Sequence, residues 1–177
     1  MNKKDILWKL AYLAASGAIF IIDQMTKAWA VRRLRFGDVR EVIPSFLNFA
    51  YAENPGVAFS FFNDHGDAGR WGLSAVALVA AALVLYYFWR IPRSDDRVLG
   101  ALALLLAGIV GNVTDRMRLG FVVDFIDVQF GSWHYPTFNV ADMAICIGAG
   151  LLILDIIFSK RRQKTEDGNQ KEDAVSR

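Results

Sequence analysis

The amino-acid sequence predicts an all-α membrane core of four transmembrane helices carrying a small extracytoplasmic β-sheet and loop element. Three observations carry that prediction. The chain of 177 residues is 54% hydrophobic, above the roughly 45–50% of ordinary globular proteins. Its charges collect in blocks between apolar runs instead of being dispersed. One of those runs, Trp71 to Trp89, has nineteen residues without a charge, which matches the roughly 20 needed to cross a hydrocarbon core.

Taken in order, the first span is Ile6 to about Val31. It lies behind "MNKK", yet it contains Asp23 and Lys27 and three further spans follow, so a retained helix is expected in place of a cleaved signal peptide. In the loop after it, "IPSFLNFAYAENPGVAFSFF", the run Phe46 to Ala52 is strand-like and Asn54-Pro55-Gly56 is a turn signal. Phe59, Phe61 and Phe62 are expected at the membrane interface. Trp71–Trp89 is the second span, and Val98 to about Arg116 the third. "GFVVDFIDVQF" follows Gly120, is rich in Val, Phe and Ile, and reads as a strand that returns over the outer surface with Asp124 beside the membrane face. The fourth span is about Thr137 to Phe158. Residues 1–163 form a single membrane-embedded domain in this reading, and the polar, nonperiodic residues 164–177 a disordered cytoplasmic tail.

Lys and Arg set the expected orientation. Lys3, Lys4 and Lys9, then Arg90, Arg93 and Arg97, then Lys160, Arg161, Arg162 and Lys164 fall on one side of a four-span topology, which the positive-inside rule places in the cytoplasm. Both termini are then inside, although Arg32, Arg33, Arg35 and Arg40 compete. A net charge of +2, with basic clusters beside apolar runs, gives no reason to expect nucleic acid. Cys146 is the one cysteine, so no intramolecular disulfide can form, and its apolar setting suggests a small buried packing residue. His65 and His134, both placed in loops, are too few for a His-rich metal site. Neither a metal nor another cofactor is expected.

The functional signal is a set of polar groups inside apolar segments, where a charge persists only if it meets a partner, a cavity or a reaction. Counted from the cytoplasmic ends of their helices, Asp23, Asp115 and Asp142 all fall about 24–26 Å up at 1.5 Å per residue, near the outer edge of the core. Asp23 and Lys27 are spaced i, i+4 with the acid first, as in a helix ion pair. "GNVTDR" and "FNVADM" each place Asn three residues before Asp, Asn112 with Asp115 and Asn139 with Asp142, sharing a helix face or a cap. Arg116 would neutralise a carboxylate or bind a backbone carbonyl.

Read together, "DQMTK", "ENPGVAFS", "GNVTDR", "GFVVDFIDV" and "FNVADMAI" make the chain, from about Ile22 to Cys146, resemble the lipoprotein signal peptidases, the type II signal peptidases, which are intramembrane aspartic proteases. The Val113-Thr114 pair is more polar than that family usually shows, with the spacing intact. The resemblance implies a catalytic pair of Asp124 and Asp142, with Asp23, Lys27, Asn54, Gly56, Asn112, Asp115, Arg116 and Asn139 as supporting or substrate-binding positions. It also implies a substrate, the signal peptide of a lipidated prolipoprotein, cleaved just before the lipid-modified cysteine in the bacterial inner membrane. Membrane lipid is the other expected partner, and a monomer the expected state. Two carboxylates sharing one proton can hydrolyse a peptide without metal or nucleophile, one as base and the other as acid. Asp115 competes with Asp124 as partner of Asp142 on the depth argument. A small proton or ion transporter using the same carboxylates is the alternative, but it should carry polar groups through both leaflets.

Overall fold

A computed structural model of the protein describes residues 2–34, 38–56 and 66–175. Phe59, Phe61, Phe62 and His65 lie outside the described residues. The elements in chain order are α1 (Lys3–Arg33), β1 (Val39–Ile43), β2 (Leu47–Asn54), α2 (Gly66–Arg90), α3 (Asp96–Leu119), β3 (Val122–Phe130), β4 (Trp133–His134) and α4 (Val140–Val175). All four helices contain a stretch long and apolar enough to cross a membrane. The four expected spans and both expected strands are therefore present. Helix α4 continues to Val175, over polar residues for which an unstructured tail is expected; Lys, Arg, Gln and Glu, which dominate the start of that stretch, are good helix formers.

The helix ends follow local chemistry. Asn2 opens α1 with a capping box, its side chain accepting from Asp5 N while Asp5 accepts from Asn2 N. Lys9, one of the charges used to orient the chain, is 2% exposed. Its Nζ donates to the carbonyls of Phe88, Trp89 and Ile91 at 2.8–3.0 Å and so satisfies the open end of α2. Gly120, at φ 93°, closes α3 with its N–H on the Arg116 carbonyl. A left-handed residue costs glycine little, and it turns the chain directly from α3 into β3.

Helix α3 is the centre of the bundle: 56% of its membrane window is buried, against 11–17% in the other three helices. Its lower half packs Leu99, Leu102 and Ala103 against Phe88. Contact with α4 is close because two glycines leave room for it. A Cβ on Gly108 would lie 2.3 Å from the Ala141 carbonyl oxygen, and one on Gly148 would lie 2.7 Å from that of Ala101.

The four strands form one antiparallel sheet in the order β1-β2-β3-β4. Strands β1 and β4 carry no strong sequence signal: every residue of β1 is exposed, and β4 has only two residues. The sheet is anchored to the upper end of α1 through Val123 and Phe125, which pack on Ala30 and Leu34. In the β2–β3 register Ala52 faces Asp124 and Asn54 faces Val122, so Asn54 and Asp124 are diagonal neighbours on one face. This places β3's carboxylate against the top of the bundle.

Because an added Cβ on Gly108 would meet the Ala141 carbonyl oxygen at 2.3 Å as well as the Ile145 side chain at 2.6 Å, Gly108→Ala must push α3 and α4 apart. Overpacking of this kind costs about 1–3 kcal/mol. Thermal unfolding in detergent should show a lower midpoint, whereas Gly150→Ala, where an added Cβ meets nothing within 4 Å, should leave the midpoint in place.

Candidate active site

Two of the three aspartates expected at one level, Asp23 and Asp115, meet at a single cation. Lys27 Nζ lies 3.0 Å from Asp23 Oδ2 on its own helix and 2.8 Å from Asp115 Oδ2 on α3. The i, i+4 pair is present, but the shorter contact is the inter-helix one. Gln24 completes the cluster by donating to Asp115 Oδ1 at 3.0 Å and Asp23 Oδ2 at 3.2 Å. Its role was not visible in the sequence, because a glutamine on a helix facing lipid and one facing a partner have the same pattern. Asp23 Oδ1 accepts from the N–H of Ala141 at 2.8 Å, so an acid of α1 caps the first turn of α4. A Cβ on Gly111 would sit 2.7 Å from Asp23 Oδ2, which shows how closely α1, α3 and α4 converge here.

The two N-x-x-D tetrads turn out to differ. Asn139 begins α4: its Oδ1 accepts from Asp142 N at 2.9 Å, and Asp142 Oδ2 accepts from Asn139 N at 3.2 Å, a reciprocal cap. Asn112 is inside α3, and its partners lie on other helices. It accepts from Lys27 Nζ at 2.9 Å and donates to Asp142 Oδ1 at 2.8 Å. The lysine therefore fixes which way the amide points, with Nδ2 on Asp142.

Asp124, 2% exposed, enters from the sheet. Its Oδ1 accepts from Asn139 Nδ2 at 2.6 Å and its Oδ2 from Asn54 Nδ2 at 3.0 Å. Gly56 secures Asn54: it stands at φ 95° and donates its N–H to Asn54 Oδ1 at 3.0 Å. Asn139 thus bonds both Asp124 and Asp142. Burial pushes the Asp124 carboxyl up from 3.8 to about 6, with the Asn54 bond opposing the rise and the charge of Asp142 adding to it. Asp115, the rival partner, has both oxygens committed to Lys27, Gln24 and the N–H of Val123. Asp124 is the carboxylate that shares the Asn139 side chain with Asp142.

A cavity of about 490 Å³ opens beside Asp142, lined by Asn54, the Tyr135–Phe138 connection, Asp142, Met143 and Cys146. Two expectations are corrected. Cys146 is exposed and not a packing residue, because it follows Asp142 by one helical turn on the face that borders the cavity. Arg116 makes no ion pair among the described residues, and its Nε is buried without a hydrogen-bond partner. The neighbouring Asp115 bonds Lys27, whereas Arg116 stays within electrostatic reach of Asp142, Asp124 and Asp115 without a direct contact to any of them. No group of three or more metal-binding side chains occurs among the described residues.

A family profile described as Signal peptidase (SPase) II matches residues 15–158. The chain belongs to the signal peptidase II family. It is 40% identical over 149 residues to the lipoprotein signal peptidase of Shewanella loihica, covering 84% of this chain and 87% of that one. Against the lipoprotein signal peptidase of Hydrogenovibrio crunogenus the identity is 42% over 146 residues, covering 82% and 84%. A solved bacterial membrane enzyme, determined by the in meso method at 2.3 Å, superposes with a TM-score of 0.72 at 30% identity, covering 90% of this chain and 91% of that one. The signal peptidase II family thus accounts for the four spans and the sheet together.

Lys27→Ala is expected to lower stability by about 3–5 kcal/mol, the usual cost of stranding a buried ion. It leaves Asp23 and Asp115, with side chains 1% and 4% exposed, without their cation. Adding Asp23→Asn should return only part of that loss, since Asp115 remains uncompensated; chemical unfolding of the three proteins in detergent measures both steps.

Proposed function

We propose that this signal peptidase II family member removes the signal peptide from lipidated prolipoproteins by aspartic hydrolysis, with Asp124 and Asp142 as the catalytic pair. The single observation that carries this reading is the Asn139 side chain bonded to both residues, to Asp124 Oδ1 and to Asp142 N. It ties together two carboxylates from different elements, one of which lines the cavity, and the two stay close enough to repel. Like charges at such a site favour sharing one proton. Every hydrogen-bond donor on the two carboxylates is a neutral amide, from Asn54, Asn112, Asn139 or the backbone. Such donors hold the pair without forcing both members to ionise.

In the mechanism, the ionised member removes a proton from water as it attacks the scissile carbonyl. The protonated member donates to the developing oxyanion and then to the leaving amine. The substrate must unwind locally to present its bond, and at membrane depth its freed backbone groups need partners. Arg116, with a buried and unpartnered Nε, is the donor available for a substrate carbonyl. Cleavage falls just before the lipid-modified cysteine, whose acyl chains stay in the bilayer. The protein is a multi-pass protein of the bacterial inner membrane and acts as a monomer. Both termini are cytoplasmic, as the distribution of Lys and Arg indicates, which puts the dyad and sheet at the outer face. A transporter would need a polar path onward through the bundle, where Phe88, Leu99, Leu102 and Ala103 pack as an apolar core.

Purified protein in detergent should cleave a lipidated prolipoprotein, and Asp124→Asn and Asp142→Asn should each reduce turnover to background while remaining folded. Full activity in either variant would remove that residue from the dyad. Asp115→Asn should instead lower stability first.

The raised carboxyl of Asp124 also has a thermodynamic signature. A carboxyl with a higher pKa in the folded state contributes stability that is complete below 3.8 and is lost as pH rises towards about 6. Between pH 4 and pH 7 the wild type should therefore lose more stability than Asp124→Asn, by about 2 kcal/mol. Unfolding in denaturant at the two pH values, with both proteins in the same detergent, measures the difference.

A further inference from the structure

Three residues after Asp124 on β3 lies a second buried carboxylate that hydrolysis does not use. Asp127 is 4% exposed. Its Oδ2 accepts from Asn48 Nδ2, across the β2–β3 register, at 3.0 Å. His134 Nδ1 stands 2.8 Å from Oδ1 and 3.0 Å from Oδ2, donating to the carboxylate, while half of the His134 side chain remains exposed. The expected loop placement is thereby corrected: His134 is exposed but lies in β4, and it bonds a buried acid.

The location of this pair gives it a task. Strand β4 is held to β3 by only the Gln129–His134 and Phe130–Trp133 pairs, with Tyr135 N donating to Val128 O at 2.8 Å beyond them. The backbone then leaves β3 over Pro136 and Thr137, and returns at Phe138, whose N–H and carbonyl both bond Ile126. Residues 135–138 thus form a short arch over the sheet, and they are one wall of the cavity beside Asp142. One foot of the arch is continuous with Asn139 and α4. The other foot is β4, a ladder of two pairs, which by itself holds poorly. A hydrogen bond to a buried carboxylate is the stronger tie at that foot.

We propose that the Asp127–His134 pair is the positioning element that fixes the Tyr135–Phe138 wall, and so governs how tightly the substrate is held beside Asp142. Neither residue touches the reacting atoms. Asn48 aims the carboxylate, Asp127 holds His134, and His134 holds β4. The aromatic wall residues follow, with Tyr135 edge-to-face on Trp133 at 6.1 Å and on Phe138 at 5.8 Å. The inference rests on the cleavage activity proposed above and refines it by separating substrate binding from hydrolysis.

The test uses the full-length protein in detergent with a lipidated prolipoprotein substrate. His134→Ala should raise KM about three- to tenfold, the range of a charge-assisted bond at a half-exposed site, with kcat retained. His134→Asn should bring KM back, because the asparagine Nδ2 can donate from nearly the position of Nδ1. The double variant Asp127→Ala, His134→Ala should be no worse than the worse single one, since coupled residues are not additive. A second readout needs no substrate: Cys146, the chain's one cysteine, lines the same cavity. Its alkylation by iodoacetamide should speed up in His134→Ala and return to the wild-type rate in His134→Asn. An unchanged KM in His134→Ala, or a KM that His134→Asn does not restore, overturns the proposal. If the wild type cleaves nothing, the activity reading fails instead, and Cys146 labelling indifferent to His134→Ala would then overturn the positioning role.

Discussion

The arrangement at the top of the bundle depends on how one ammonium group is shared. Lys27 is the only cation bonded to Asp23 and Asp115 among the described residues, so the three side chains carry one positive and two negative charges. The balance is made up by dipoles. Gln24 donates to both acids, Val123 N–H reaches Asp115, and Ala141 N–H, at the positive end of α4, reaches Asp23. Each of those donors belongs to a different part of the fold. Neutralising the cluster therefore requires α1, α3, β3 and α4 to be in place together, and a buried group left unmatched would be costly.

The same ammonium reaches the proposed chemistry at one remove. Its bond to Asn112 Oδ1 leaves the amide's donor end facing Asp142. Direct contact between a lysine and either member of the proposed dyad would favour ionisation of both. An interposed asparagine transmits orientation and much less charge. Asn139 acts similarly between the two acids, and its backbone bond to Asp142 is also the cap that starts α4. The start of a membrane helix and the geometry of the pair are thus one structural feature, and glycines at 108, 111 and 148 let the helices approach closely enough to share it.

Much of this was legible without coordinates. The spans followed from length and apolar content, the Asp23–Lys27 pair from i, i+4 spacing, the turn at Gly56 from Asn-Pro-Gly, and the strands of Phe46–Ala52 and residues 120–130 from β-branched and aromatic runs. Those signals are local, set by the helix and strand repeats. Strand β1, wholly exposed, and β4, with two residues, lack any repeat long enough to read. Arg116 and Cys146 were misjudged for a related reason: composition describes the neighbours in sequence, whereas a side chain's partners depend on which way its helix faces.

The sequence alone determined that this is a four-span membrane protein with carboxylates inside its apolar segments, because hydrophobic length is a property of the chain itself. Its five motifs also sufficed to point to the signal peptidase II family. The tertiary structure decided which acids belong together. Depth favoured Asp115 as the partner of Asp142 and the family resemblance favoured Asp124, and only packing showed that Lys27 engages Asp115 while Asn139 bonds both Asp124 and Asp142. Tertiary contacts likewise turned His134 into a tie on a cavity wall. A hydrogen bond between residues far apart in sequence depends on the relative placement of whole elements, and no periodicity within one element encodes that placement.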